Sequence, residues 1–214
     1  MERDEEGIAR LRVIAARTLG HYDQNADSFR EGTRDHDVSQ NIDALLDAIG
    51  RPAPLRILDL GCGPGRDLAT FRALGHVAVG LDGCPAFVSM ARADTGCDVM
   101  HQSLFDLELA GLELDGVFAN ASLFHVPTAL LQDVLARVRA ALIPGGVLFC
   151  SNPRAFTSDE EGWHGERYGA YLTVDRWTAE LQSAGFEVLR SYLRPEGKTP
   201  AQQPWVALVA RKTG

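Results

Sequence analysis

Three features are missing from this sequence, and each absence narrows what the protein can do. No uninterrupted apolar run approaches the roughly 20 residues that a membrane-spanning helix requires. The first residues, Met1 to Glu6, are mostly acidic and lead into no apolar segment of a signal peptide. Basic residues number 21 against 29 acidic ones, and the net charge of −8 repels nucleic acid on average. We therefore expect a cytoplasmic protein that engages neither a membrane nor a nucleic acid.

Cysteine is also scarce, and its spacing indicates neither a redox pair nor a metal site. The four residues are Cys62, Cys84, Cys97 and Cys150. All fall in or beside predicted strands and turns, where a free cysteine behaves as a small buried hydrophobe. We predict reduced, structural thiols and no bound metal.

Length and patterning predict a single α/β domain. The 214 residues, 45% of them hydrophobic, can bury one sizeable core. Between residues 55 and 151, strands alternate with helices, a pattern typical of βαβ units and a mostly parallel sheet. The last two predicted strands, 186–193 and 205–211, lack an intervening helix, which favours antiparallel pairing at a sheet edge. The expected parts of this single domain are a helical cover (1–50), a core of alternating strands and helices (55–151), and a loop with the terminal strands (152–214).

The flanks of this alternation are less regular. The first amphipathic helix is predicted over residues 5–19, and a second one, capped by Asp37 or Ser39, ends at Gly50. Residues 21–38 between them are polar with sparse aromatics. Residues 152–172 read as a polar and aromatic loop after the fifth strand, which is predicted at 147–151.

A glycine-rich loop carries the strongest functional signal. The strand ending at Leu60 runs directly into Gly61-Cys62-Gly63-Pro64-Gly65 and then a helix. Glycines suit a sharp turn that a ligand must approach closely. Asp82, at the end of the second strand, is placed to accept hydrogen bonds from a ribose diol. A dinucleotide fingerprint would need a third glycine where Arg66 stands, so the loop departs from the NAD pattern.

The loop instead resembles motif I of the class I S-adenosylmethionine (SAM)-dependent methyltransferases, which reads DxGCGxG and includes Asp59 and Cys62. The stretch 142–148, Leu-Ile-Pro-Gly-Gly-Val-Leu, is similar to the family's entry to its fifth strand. The resemblance covers roughly residues 55–151. It implies SAM as the cofactor and a Rossmann-like three-layer sandwich. In that fold a mostly parallel seven-stranded sheet carries an antiparallel C-terminal strand, and we expect an N-terminal helical lid.

The resemblance also implies cofactor contacts along the carboxyl edge of the sheet. Ser103 stands where many members have an Asp that meets the adenine amino group. Phe87 either packs on the adenine or sits in its helix core. The stretch 115–125 resembles the segment under the methionine moiety. The predicted cofactor-binding residues of this edge are Gly61, Cys62, Gly63, Asp82, Gly83, Phe87, Ser103, Leu104, Asn120, Ser122 and His125.

Residues 21–38 are either a solvated connector or a lid over the site. Under the lid interpretation, similar segments of the family imply that Tyr22 lies near the methionine end and Arg34 near its carboxylate. Phe29 of the same segment is a candidate acceptor-binding residue. The candidate acceptor-binding residues after the fifth strand are Arg154, Trp163, Tyr168 and Tyr171, since loops at this end of such sheets often carry function. Core packing and surface exposure are the alternatives for these four.

The implied reaction is an in-line displacement, which needs the acceptor held close to the methyl group. A base is needed only if the acceptor arrives protonated, and the candidates are His36, His125 and His164. A small-molecule acceptor is favoured because no basic tract or recognition domain is evident. A protein or RNA methyltransferase and an NAD-binding oxidoreductase or nucleotide-binding module remain alternatives. The protein is expected to be a monomer or a homodimer.

Overall fold

A computed structural model describes residues 5–214, so residues 1–4 of the acidic start lie outside it. The helices are α1 (Glu5–Gln24), α2 (Ala26–Thr33), α3 (Ser39–Ile49), α4 (Arg66–Ala73), α5 (Pro85–Thr95), α6 (Thr128–Ala141) and α7 (Val174–Ser183). The strands are β1 (Arg56–Leu60), β2 (Val77–Asp82), β3 (Asp98–His101), β4 (Leu114–Asn120), β5 (Leu142–Pro153), β6 (Glu160–His164), β7 (Arg167–Tyr171), β8 (Phe186–Arg194) and β9 (Trp205–Lys212). None of the helices in this range is long and apolar enough to cross a bilayer.

Seven strands form one sheet in the order β3-β2-β1-β4-β5-β9-β8. The pairs from β3 through β5 are parallel, whereas β9 runs antiparallel to both of its neighbours. The predicted antiparallel C-terminal strand is therefore confirmed. The order reverses beside β1, so the carboxyl ends of β1 and β4 open a crevice of the kind that binds ligands in such sheets.

Alternating side chains along the strands bury both faces of the sheet. Ile57 of β1 packs in the cluster that contains α3, α4 and α5 side chains, such as Leu45 and Phe71. Leu58, its neighbour in sequence, lies in the opposite cluster with α6 and with Trp177 of α7. The period of two thus produces a helix–sheet–helix sandwich, as the sequence predicts.

The N-terminal segment differs from its prediction. The first helix continues past residue 19 to Gln24, and α2 occupies Ala26–Thr33 within the stretch interpreted as polar and irregular. A small apolar cluster and polar contacts together hold the segment, with Ala26 and Phe29 packed against Phe87. Asp23 accepts a hydrogen bond from the Ala86 amide at 3.1 Å, and Arg30 pairs with Asp94 at 2.6 Å.

Two further boundaries need correction. Residues 152–172 contain the hairpin β6–β7, in which Trp163 pairs with Tyr168, so they are not simply a loop. The fifth strand runs from Leu142 to Pro153 and so begins before its predicted start at residue 147. Its pairing with β4 passes from Leu114–Leu142 to Gly116–Val147, and this irregularity accommodates Pro144, Gly145 and Gly146 within the strand.

Candidate cofactor and acceptor site

The glycine loop adopts backbone conformations that explain its composition. Gly61 has φ +79°, and a Cβ there would lie 2.4 Å from the Cβ of Ser122. Ser122 is fixed in that position because its hydroxyl donates to the Leu60 carbonyl at 2.6 Å. Gly63 has φ +53°, and a Cβ there would meet only Phe29, at an ordinary 3.8 Å. Gly61 is therefore needed for packing, whereas Gly63 presents bare backbone to open space.

Asp82 closes the loop from the neighbouring strand. One carboxylate oxygen accepts from the Gly63 amide at 2.9 Å and the other from the Cys84 amide at 2.8 Å. Burial raises the pKa of Asp82, and the hydrogen bonds from the Cys84 and Gly63 amides oppose that rise. Each carboxylate oxygen retains a lone pair, so Asp82 can accept further hydrogen bonds from a diol above the loop.

A cavity of about 780 Å³ lies between this loop and the N-terminal helices. This volume is within the usual range for small-molecule sites. Most of the sequence-predicted residues meet in its wall, although their individual roles stay predictions. They are Tyr22, Phe29, His36, Gly61, Cys62, Gly63, Asp82, Gly83, Phe87, Ser103, Leu104, Asn120, Ser122 and His125. The ring of Phe87 is buried against Tyr22 and Phe29 and also lines the cavity, and its packing on the adenine stays a prediction.

Two predicted arginines lie elsewhere. Arg34 is 63% exposed and pairs with Glu31 and Asp35, so its assignment to the methionine carboxylate is not supported. Arg154 is also outside the cavity wall. Its guanidinium donates to the carbonyls of Gln203 and Pro200, at 2.9 and 2.6 Å, and so holds the C-terminal loop instead of an acceptor.

The aromatic residues of the β6–β7 hairpin are likewise absent from the wall, which corrects their assignment to the acceptor. Trp163 packs under the Arg17 guanidinium of α1 at 4.3 Å. Tyr168 is buried and donates its hydroxyl to Glu161 at 2.8 Å. Tyr171 packs against His164 with the two rings tilted by 57° and their centroids 4.3 Å apart, and neither side chain lines the cavity, which removes His164 as a base facing it. The hairpin braces the outside of α1.

A polar network that the sequence did not reveal forms another part of the wall. Arg66 donates to both oxygens of Asp67, at 2.7 and 3.0 Å, and to the Thr33 carbonyl at 2.9 Å. Asn120 connects Asp67 with Asn41 of α3, at 3.4 and 3.2 Å. The sequence contained only one indication of this network, namely that Arg66 stands where the NAD-binding pattern has its third glycine. Arg167, Arg194, Phe124 and Trp205 also line the cavity.

His125 is held by two hydrogen bonds at the end of a one-turn 3-10 helix, Leu123–His125, that follows β4. Its Nδ1 lies 2.6 Å from the Tyr168 carbonyl oxygen, and its Nε2 lies 2.8 Å from the Tyr22 hydroxyl. Burial lowers the pKa of His125 to about 4, and the positive charge of Arg167 contributes. The ring is therefore neutral at pH 7.

The residues present fit SAM. Gly63 leaves open the face that a ligand must approach, and the carboxylate of Asp82 can accept further hydrogen bonds from a diol. Asp59 is fully buried with one carboxylate oxygen unpaired, and burial, with Asp67 nearby, raises its pKa well above the ordinary value. Among the described residues, no group of three or more His, Cys, Asp or Glu side chains is arranged to hold a metal ion.

Sequence comparison identifies relatives that transfer methyl groups. Residues 29–191 match the model of a family described as a methyltransferase domain. A ubiquinone biosynthesis O-methyltransferase of Dinoroseobacter shibae is 31% identical over 62% of this chain and 60% of its own length. A trans-aconitate 2-methyltransferase of Variovorax paradoxus is 33% identical over 72% of this chain and 57% of its own length. The chain thus spans about six tenths of the length of these curated relatives.

Solved structures share the fold. The 1,6-didemethyltoxoflavin-N1-methyltransferase of Burkholderia thailandensis, with S-adenosylhomocysteine (SAH) bound, has TM-score 0.76 and 24% identity, over 94% of this chain and 89% of that chain. The [4+2]-cyclase SpnF has TM-score 0.67 and 17% identity, over 81% and 80% of the two chains. The predicted Rossmann-like fold is confirmed. Because a cyclase shares it, the fold alone does not fix the reaction.

Proposed function

Since the chain belongs to the class I SAM-dependent methyltransferase family, with SAM as its cofactor, we propose that it transfers the methyl group of SAM to a small-molecule acceptor. The observation that carries the proposal is one continuous cavity, which we divide into a cofactor side and an acceptor side. Gly63 and Asp82 lie on the cofactor side, and Phe124, Trp205 and Arg194 form the acceptor side of the same cavity. A single enclosure of this kind can hold two ligands in contact, as an in-line displacement requires.

We assign the residues of the cofactor side to different parts of SAM according to their position. Asp82 holds the ribose, and the Gly63 backbone permits close approach. Ser103 and Leu104, on the segment after β3, flank the adenine. When bound, SAM supplies an activated methyl group on a sulfonium, so the protein contributes mainly positioning and the exclusion of water. Helices α1 and α2 provide that exclusion, because Tyr22 and Phe29 face the cavity from above the loop.

A small acceptor is supported by the walls and by the relatives. The cavity volume suits a cofactor and a compact second ligand. The relatives named above, a ubiquinone biosynthesis O-methyltransferase and a trans-aconitate 2-methyltransferase, also point to small molecules. The net charge of −8 argues against an RNA acceptor.

Calorimetry tests the cofactor, and labelled transfer tests the acceptor class. Purified, ligand-free protein should bind SAH and SAM but not NADH. Methyl-labelled SAM, incubated with a small-molecule extract and separately with total RNA and protein, should transfer label only to compounds of low mass. NADH binding without SAM binding, or label in RNA or protein alone, would contradict the proposal.

A further inference from the structure

Tyr22 and His125 meet across the cavity although 103 positions separate them in sequence. The Tyr22 hydroxyl oxygen lies 2.8 Å from Nε2 of His125, and Nδ1 of the same ring lies 2.6 Å from the Tyr168 carbonyl oxygen. A carbonyl can only accept, so Nδ1 carries the hydrogen. In a neutral ring Nε2 then carries none, and the Tyr22 hydroxyl must donate to it. The direction of the hydrogen bond is thus fixed by the backbone.

The groups around this pair keep both partners neutral at pH 7. Burial lowers the pKa of His125 to about 4, with a smaller contribution from Arg167. Burial also raises the pKa of Tyr22; Arg167 opposes the rise and the charge of Asp82 adds to it. Arg167 of β7 approaches the pair directly, with Nη1 3.3 Å from the Tyr22 oxygen.

One lone pair of Tyr22 remains for a ligand. Its oxygen gives its hydrogen to His125 and accepts one hydrogen bond from Arg167, which uses one of two lone pairs. Tyr22, His125 and Arg167 all line the cavity. A hydrogen-bond donor on the acceptor molecule is the natural partner for the remaining lone pair.

We propose that Tyr22 receives the proton of an acceptor hydroxyl and passes its own proton to Nε2 of His125, so that the acceptor is an alcohol or phenol and the product a methyl ether. This inference rests on the proposed function. Tyr22 is the catalytic residue, and His125 acts through it. Carboxylate and thiolate acceptors arrive without a proton and would leave the pair unused.

The step balances without another reactant. The acceptor oxygen forms its bond to the methyl carbon as the carbon–sulfur bond breaks, and that electron pair stays on sulfur. The acceptor proton goes to Tyr22, whose own proton goes to Nε2, while Nδ1–H remains on the Tyr168 carbonyl. A weakly basic imidazole suffices, because a hydroxyl oxygen becomes strongly acidic once its bond to the methyl group forms.

Matched variants test the relay. Tyr22→Phe keeps the ring in the cluster with Phe29 and Phe87, and His125→Gln keeps hydrogen-bonding capacity but cannot hold the proton. Each should lower kcat, measured with methyl-labelled SAM and the small-molecule extract, by roughly 10²- to 10³-fold. The Kd for SAH should change far less than kcat, because neither variant removes a side chain from the cavity wall. The controls are Tyr171→Phe and His164→Gln, which change the same residue types outside the cavity.

Two readouts separate the relay from a structural role. In the SAH complex, ¹⁵N NMR should show His125 as the neutral Nδ1–H tautomer, with a titration midpoint near 4. The labelled product should be a methyl ether that survives alkali, whereas a methyl ester would release methanol.

An ester, thioether or N-methyl product, an Nε2–H tautomer, or full kcat in Tyr22→Phe would each overturn the inference. Failure to bind SAH, or binding with no labelled product, would instead count against the proposed function.

Discussion

The role of Asp82 is best tested by Asp82→Asn and Asp82→Ala together, because the carboxylate has two structural bonds as well as a proposed ligand. Its oxygens accept from the Gly63 and Cys84 amides at 2.9 and 2.8 Å. Losing the charged acceptor for the ribose should cost about 1.5–3 kcal/mol of binding free energy. That corresponds to roughly 10- to 100-fold weaker SAH binding by calorimetry.

The two variants should differ in stability. Asp82→Ala leaves both amides unpaired, at about 1–3 kcal/mol each. Asp82→Asn leaves only one unpaired and relieves the buried charge whose desolvation raises the pKa of Asp82. We therefore expect a smaller loss of Tm for Asn, since about 1 kcal/mol shifts the Tm of a chain this long by roughly 2–4 °C. The control is Asp94→Asn, which removes only the half-exposed pair with Arg30.

Two results would refute this reasoning. Parental SAH affinity in folded Asp82→Asn would show that Asp82 does not hold the ribose. Equal Tm for the parent and Asp82→Ala would show that the two amide bonds do not stabilise the loop.

Three further predictions follow from the same cavity. Gly63→Val should abolish SAH binding measured by calorimetry, because its side chain would enter the open space above the loop; unchanged affinity would remove the loop from the site. The His125 pKa of about 4, against 6.5 unfolded, contributes stability that is lost as pH falls from 6.5 toward 4, about 3 kcal/mol in all. The free energies of unfolding in urea of the parent and of His125→Gln should therefore converge by that amount over this pH range. Parallel plots of the two free energies against pH would contradict the lowered pKa of His125. Amides between Tyr22 and Val38 should gain protection from hydrogen exchange when SAH binds, and equal exchange with and without SAH would exclude a lid.

The sequence was most informative where geometry is local. Gly61, Gly63 and Asp82 lie at the ends of two adjacent parallel strands, and their spacing follows from the strand–loop–helix unit itself. The alternation of strands and helices between residues 55 and 151 also predicted the mostly parallel sheet, because each βαβ unit is a local pattern. These features needed no knowledge of distant contacts.

Side-chain direction in the flanking segments could not be predicted in this way. Arg34 and Arg154 lie in segments that flank the predicted site. Arg34 nevertheless pairs with Glu31, and Arg154 donates to carbonyls of the C-terminal loop. In the sequence, Arg66 was informative only because it stands where a dinucleotide-binding loop has glycine. In the structure its hydrogen bonds to Asp67 and Thr33 connect α4 to α2. Such choices depend on partners that the fold brings together from distant positions.

The Tyr22–His125 hydrogen bond links the cover to the chemistry that we propose. Tyr22 belongs to α1, whereas His125 and its Tyr168 partner belong to the sheet edge and the hairpin. Moving α1 away would expose His125 to water and remove the burial that lowers its pKa, so the pKa should return toward 6.5. Closure of α1 over the cavity therefore also buries His125 and keeps its ring neutral, so that Nε2 can take up a proton. We accordingly expect the His125 titration midpoint and hydrogen exchange in residues 21–38 to change together, the midpoint rising toward 6.5 under any condition that speeds exchange of these amides.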